Sequence, residues 1–182
     1  MPEGVHVALV AVQSIDGCIT RHDDGGAGGW ASAEDQRHFN AELASHDSAV
    51  FGNGTYRTDR ELIRARLRPE LLRMVMTRRP EDAAGEAVPG QLEFTDQAPA
   101  ALLAGLGHRG RRRCALLGGQ AVYGRFLADD LVDELVLTVE PRVFGAGLRL
   151  VATPIDRRFE LGDVERLNAS TLLLRYHRPR AG

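Results

Sequence analysis

Cysteine is scarce in this chain. Its 182 residues include two, Cys18 and Cys114, both in apolar settings. They offer no zinc-ligand spacing and no disulfide framework, which points to a reducing cytoplasm. An excess of charge of one sign is also missing. With 23 basic and 25 acidic residues the formal net charge is −2, so no field favours nucleic acid or an acidic membrane as partner. Long apolar runs are lacking too. The run at 7–12 is too short to cross a bilayer, and no basic region precedes it as in a signal peptide. There is no internal repeat, no low-complexity segment and no inter-domain linker. His38 and His46 fall on the expected solvent face of a helix and show no metal spacing, so no metal is expected. The statistically strong dinucleotide and triphosphate glycine motifs are both absent. Hydrophobic residues at 43% and charged residues at 26% are ordinary for a soluble globular protein. One domain spanning 1–182 is therefore expected, large enough for a proper core.

What is present is an alternation of apolar runs and helical patterns, which favours an α/β fold. Residues 5–13 are nearly all apolar and read as a central strand buried on both faces. Further strands are expected at 48–51, 72–76, 92–94, 114–117 and 135–139, with a closing hairpin of 158–164 and 170–178 around 167–169. Ser32 can cap a helix running to about Ser45, with Glu34 and Asp35 suiting the positive end of its dipole and Phe39 and Leu43 marking one face. A short helix is expected at 99–106, with Pro99 in its first turn. Residues 21–29 and 81–90 read as loops, 56–68 as an arginine-rich solvated face, and 109–113 as a solvated turn.

Several strand ends carry polar or glycine-rich turns. Ser14-Ile15-Asp16-Gly17 closes the first, Gly52-Asn53-Gly54-Thr55 the second, and Thr77-Arg78-Arg79 the third. Gly118-Gly119 separates the 114–117 strand from a helix marked by Val122, Phe126 and Leu127. Each turn alone is readable as a plain turn. Together they suggest one crevice along the carboxyl ends of a sheet, suited to an extended phosphate-bearing ligand. Thr77 and Arg78 offer a hydroxyl and a guanidinium for a phosphate. Trp30 can cap a flat ligand or anchor the preceding loop.

These features resemble those of a known family. Ser14 to Gly17, Gly29-Trp30 before a helix, Gly52 to Tyr56 and Gly118-Gly119 before a helix are similar to the reductase domain of the riboflavin-biosynthesis deaminase/reductase. So are Leu131-Val132-Asp133-Glu134-Leu135, Pro141, Phe144-Gly145 and the spacing of Thr55, Asp59, Leu62 and Arg66. The resemblance covers nearly the whole chain. It implies a dihydrofolate-reductase-like three-layer α/β fold, with a mostly parallel central sheet and a C-terminal antiparallel hairpin. The zinc-deaminase half is not expected, because its His-Glu and Cys-x-x-Cys signatures are missing.

The resemblance implies an NADPH-dependent oxidoreductase of the 5-amino-6-(5-phosphoribosylamino)uracil reductase type, acting on a small nitrogen heterocycle or its ribosylamino derivative. A homodimer is the expected assembly, with a small-molecule substrate as partner. Gly52, Thr55 and Asp59 would lie along the cofactor, and Trp30 would flank the nicotinamide. Thr77 and Arg78 would meet the extra phosphate, while Gly118, Gly119, Gln120, Ala121 and Val122 would hold the pyrophosphate. Ser14, Leu62 and Arg66 would face the substrate, with Arg66 suited to a substrate phosphate. Asp16, or a water near Ser14 and Glu140, would supply the proton. Three departures stand out. Val10, Leu43 or Ala44, and Leu117 occupy places where the riboflavin enzymes tend to carry lysine, arginine and glutamate. They leave open a dihydrofolate-reductase-like enzyme of specialised metabolism with another heterocyclic substrate, or a binding protein without turnover.

Overall fold

The computed structural model describes residues 4–22 and 29–179. At its centre is β1, His6–Ser14. Val7 and Leu9 face one core cluster, and Ala8 and Val10 face another, so both faces of the strand are covered. That explains an apolar run without alternation. The strands are β2 (Ser48–Gly52), β3 (Leu72–Met76), β4 (Leu92–Thr95), β5 (Arg113–Leu116), β6 (Glu134–Glu140), β7 (Glu160–Arg166) and β8 (Leu172–His177). They form one eight-stranded sheet in the order β4-β3-β2-β5-β1-β6-β8-β7. The strands from β4 through β6 in that order are parallel. The last two strands, β8 and β7, run antiparallel and close the chain as a hairpin.

The helices are α1 (Ala33–Ala44), α2 (Asn53–Thr58), α3 (Arg60–Ala65), α4 (Pro99–His108) and α5 (Gln120–Ala128). Leu102 and Leu106 of α4 and Val122, Tyr123, Phe126 and Leu127 of α5 pack with Val7, Leu9 and Val50 on one face of the sheet. Phe39 and Leu43 of α1 pack with Ala8, Val10 and Ala49 on the opposite face, and Ile63 of α3 packs beside Phe51 and Val75. The result is three layers. Each fully buried side chain of the size of Phe126 or Leu9 contributes about 1.5–3 kcal/mol over its exposed state.

The start of α1 follows the capping rule: Ser32 Oγ accepts the Asp35 N–H at 3.1 Å, and Glu34 and Asp35 occupy the first turn. The expected strands and helices recur with ends shifted by a few residues, where the cap or pairing geometry decides. Three expectations change. The 56–68 stretch is not a bare solvated face but two short helices, α2 and α3. Tyr56 is buried under Phe94, and its hydroxyl donates to Glu86 at 2.5 Å. The 81–90 stretch is not wholly loop, since Pro80–Glu86 turns as a 3-10 helix. His46 is not on a solvent face: it is buried, and its Nδ1 lies 2.8 Å from the Glu42 carbonyl oxygen. Burial lowers its pKa below the usual value. Of the expected 21–29 loop, residues 23–28 lie outside the described residues.

Candidate active site

The carboxyl ends of the parallel strands open into one cleft of about 1700 Å³. That exceeds the roughly 300–1,000 Å³ of a pocket for a single small ligand. Its floor and walls come from strand ends that are far apart in sequence.

One side is a glycine cradle. The Gly52 N–H donates to the Gly118 carbonyl at 2.7 Å, locking the end of β2 to the turn after β5. A Cβ on Gly52 would lie 3.1 Å from Val122 Cγ2, and a Cβ on Gly118, where φ is +95°, would lie 2.9 Å from the Tyr123 ring. Gly118 has no room for a side chain unless the Tyr123 ring moves, and at Gly52 Val122 would have to give by a few tenths of an ångström. The Gly118-Gly119 peptide bond is cis. Gly119 lies at the mouth of α5, and its carbonyl accepts the N–H groups of Val122 and Tyr123 at 2.9 and 3.0 Å. Gln120 Nε2 donates to the Arg149 carbonyl at 2.9 Å and fixes the helix start against the following loop. Gly52, Thr55, Asp59, Gly119, Gln120, Ala121 and Val122 all line the cleft. The free N–H groups of a helix start beside glycines favour an anion there.

Another part of the wall is cationic. Thr77, Arg78 and Arg79 follow β3 and line the cleft, with Arg57 of α2. The Arg79 N–H donates to Thr77 Oγ1 at 3.3 Å, which shapes the turn. Arg60 is committed elsewhere: it pairs with Glu86 at 2.7 Å. The Tyr56 hydroxyl and Arg60 together hold the Glu86 carboxyl below its usual pKa. The chain has no lysine, so every fixed cation in the cleft is a guanidinium, the group that reads phosphate with paired donors.

The remaining wall is mostly hydrocarbon. Val10, Phe39, Leu43, Leu62 and Leu117 line it, so Val10, Leu117 and, of the pair Leu43 and Ala44, Leu43 put hydrocarbon on the cleft surface. Arg66 lines it too, donating to Asn40 Oδ1 at 3.2 Å. Sequence reasoning missed one group here. Asp35, taken only as a complement to the helix dipole, lines the cleft while only 7% exposed. Burial raises its pKa, with the Glu140 charge adding and the Thr138 hydroxyl and His38 opposing. Asp59 is also raised, by burial. No pattern in the sequence marks Asp35 as buried, because Thr138 and Glu140 belong to β6, far along the chain.

Other expected site residues stand apart from the cleft. The Ser14 hydroxyl is fully buried, donates to Asp16 Oδ1 at 2.6 Å and accepts the Cys18 N–H at 2.9 Å. Asp16 accepts the N–H groups of Phe144 at 3.2 Å and Gly145 at 2.7 Å. The Ser14 hydroxyl and these amides pull its pKa down to about 2. Glu140 accepts the Ser32 N–H at 2.7 Å and the Thr171 hydroxyl at 2.9 Å. These two carboxylates, expected to deliver or position the proton, are hydrogen-bonded to the loop at Phe144-Gly145 and to the start of α1. Trp30 is buried edge-on against Phe144, ring centroids 5.0 Å apart, which is the loop-anchor alternative. Gly118 forms the buried back of the cradle. Among the described residues no group of three or more His, Cys, Asp or Glu could hold a metal ion, and no helix is long and apolar enough to cross a membrane.

A parallel sheet finished by an antiparallel hairpin, helices on both faces and a cleft across the strand ends define the dihydrofolate-reductase-like class of α/β fold. Within it, the chain belongs to the RibD C-terminal domain family, whose match covers residues 5–173. Among solved structures it is similar to the diaminohydroxyphosphoribosylaminopyrimidine deaminase/5-amino-6-(5-phosphoribosylamino)uracil reductase of Thermotoga maritima. The TM-score is 0.78 at 20% identity, over 97% of this chain and 57% of that one. It is similar to a putative riboflavin biosynthesis protein from Shewanella sp. PV-4, with TM-score 0.73 and 21% identity over 97% of this chain and all (100%) of that one. It also resembles the dihydrofolate reductase of Enterococcus faecalis complexed with NADP(H), with TM-score 0.65 and 18% identity over 96% and 97% of the two chains. No curated protein matches the sequence. The chain thus spans 57% of the Thermotoga protein and nearly the whole of the other two folds.

Proposed function

We propose that this protein is an NADPH-dependent reductase of the riboflavin-biosynthesis type. It would reduce a small nitrogen heterocycle or its ribosylamino derivative, such as 5-amino-6-(5-phosphoribosylamino)uracil. The observation that carries the reading is the cradle of Gly52, Gly118 and Gly119 at the start of α5, in one cleft with the Thr77-Arg78 turn. The first suits a pyrophosphate and the second a further phosphate, the feature that separates NADPH from NADH. When bound, NADPH supplies a hydride. The chain's own residues bind, orient and exclude water. Thr55 and Asp59 line the cleft and would lie along the cofactor, and Leu62, Leu117 and Val10 would present hydrocarbon to a flat ring. Arg66 offers a cation to a substrate phosphate. Holding donor and acceptor in register is the main contribution such a site makes.

Calorimetry tests the cofactor assignment: NADPH should bind tightly and NADH weakly. No binding of NADPH would overturn it. Turnover of the ribosylaminopyrimidine phosphate, followed by NADPH absorbance, tests the substrate. The assembly we propose is a two-fold dimer, the commonest state of soluble oligomers. Light scattering checks it, and a monomer at all concentrations would refute it.

A further inference from the structure

We propose that Arg73 is the positioning residue for Arg66: its buried guanidinium fills the turn that follows α3 and so aims the Arg66 guanidinium at a phosphate on the substrate. The proposal deepens the reductase reading and rests on it for the phosphorylated molecule that enters the cleft.

Arg73 is the second residue of β3 and shares a face of that strand with Val75, the face that Ile63 of α3 covers. Its register partners are Ala49 of β2 and Leu92 of β4. Its methylene stem thus runs between two apolar neighbours, and only the charged head meets polar atoms. That head is bonded to two carbonyls of one turn. Nη2 donates to the Arg66 carbonyl at 2.8 Å and Nη1 to the Leu71 carbonyl at 3.5 Å. Arg66 is the C-cap of α3, and the Leu71 N–H donates to the Arg68 carbonyl at 3.3 Å. Residues 66–71 therefore fold back around the guanidinium. Arg73 as a whole is only 6% exposed, and among the described residues no carboxylate pairs with it.

A buried guanidinium without a carboxylate is costly. Burial lowers its pKa, and the charges of Arg68 and Arg66 add to that. A hydrocarbon side chain on this strand would avoid the cost, so the charge is retained for what its head does. The last carbonyls of a helix lack intrahelical partners, and Arg73 supplies a donor to the one that belongs to Arg66. It fixes the backbone from which the Arg66 side chain leaves. At the other end, Arg66 Nη1 donates to Asn40 Oδ1 of α1 at 3.2 Å, and the side chain lines the cleft. Arg66 is thus held at its root and at its tip. A guanidinium has five N–H donors, so the bond to Asn40 leaves a pair for a phosphate. The neighbouring charges of Arg73 and Arg68 make the same place more positive. On a loose turn the long Arg66 side chain would have to be ordered by the ligand at the expense of affinity. Loss of Arg73 therefore acts on the phosphate contact and not on the glycine cradle, which is built from other elements.

The test uses two probes that differ by one phosphate, ribose 5-phosphate and ribose. Ligand-observed NMR follows their binding to the purified full chain, with and without saturating NADPH; with it, the phosphate sites of the cofactor are filled. Wild type should bind ribose 5-phosphate at least about tenfold more tightly than ribose, and Arg66→Ala should bring the two within about threefold. Arg73→Met should lose at least about fivefold of the preference, while its affinities for ribose and NADPH stay unchanged, a separation that a general loosening of the fold would not give. Arg73→Lys keeps the cation but offers one nitrogen to two carbonyls, and should fall between. The double variant Arg66→Ala/Arg73→Met should lose no more than Arg66→Ala alone, because Arg73 acts through Arg66. Failure of wild type to prefer ribose 5-phosphate, an unchanged preference in Arg73→Met, or a double variant that falls further than Arg66→Ala would each overturn the proposal. If Arg73→Met does not fold, Arg73→Lys decides, and a wild-type preference there overturns it. The parent reading fails separately: no NADPH binding, with the phosphate preference and its loss in Arg73→Met intact, removes the reductase and leaves Arg73 as the support of Arg66.

Discussion

Glu140, at the end of β6, accepts the backbone N–H of Ser32 at 2.7 Å. Its other oxygen accepts the Thr171 hydroxyl at 2.9 Å, just before β8. One buried carboxylate therefore ties the central parallel sheet, the antiparallel hairpin and the cap of α1. The cap in turn fixes Asp35 at the cleft. Glu140, expected near the reacting proton, thus also holds the helix start that forms one wall of the cleft.

Glu140→Ala leaves the Ser32 N–H and the Thr171 hydroxyl without their acceptor. Two lost bonds to a charged group, in a buried setting, should cost about 3 kcal/mol. Urea unfolding measures it. Glu140→Gln, which keeps a carbonyl acceptor, should lose less and bind NADPH like wild type. A stability loss below about 0.5 kcal/mol in Glu140→Ala would show that the tie is dispensable.

Asp16 links two turns through Ser14, Phe144 and Gly145. Its pKa falls from the ordinary 3.8 to about 2 in the folded protein. A depressed folded pKa means that its stabilisation is fully present above 3.8 and disappears as pH drops through about 2. Melting temperatures of wild type and Asp16→Asn should therefore differ most above pH 4 and converge near pH 2. A difference that does not shrink over that window would mean that the charge is irrelevant and only shape matters.

Much of this architecture is visible in the residues themselves. The uninterrupted apolar run in β1 has no polar face to expose, so only a strand covered on both sides accommodates it. Ser32 with acids behind it marks a helix start, and paired glycines between an apolar run and a helix mark a close approach. The helices α2 and α3 were not legible. Their twelve residues mix glycine, threonine and arginine with no apolar stripe, and their folding depends on Tyr56 and Ile63 reaching Phe94 and Val75. The burial of Asp35 was hidden for a related reason. An acid in the first turn of a helix is ordinarily solvated, and only the pairing of β6 beside β1 brings Thr138 and Glu140 over it.

Arg78 and Gly119 test the two halves of the cofactor site independently. Arg78→Ala removes an exposed guanidinium from the cleft and should weaken NADPH about tenfold to a hundredfold, the range for one charge-assisted contact. NADH, lacking the extra phosphate, should be nearly unaffected. Gly119→Ala adds a methyl that meets Thr55 Oγ1 at 3.5 Å, an ordinary contact, so the fold should survive. The same methyl narrows the approach to the helix start and should weaken both nucleotides alike. Calorimetry separates the outcomes, and an Arg78→Ala variant that lowers both affinities equally would move the extra phosphate away from that residue.

Asp35→Asn makes the opposite stability prediction to Asp16→Asn. Here burial raises the folded pKa above the ordinary 3.8. The charge is therefore a liability in the folded state at neutral pH. Below 3.8 the carboxyl is neutral in both folded and unfolded chains, and it contributes no pH-dependent penalty. The penalty grows as pH rises from there and is complete above the elevated folded value. Asp35→Asn, neutral throughout, should melt higher than wild type at pH 7, with the advantage vanishing in acid. A lower melting temperature for Asp35→Asn at pH 7 would mark the carboxylate as a helix-start support instead.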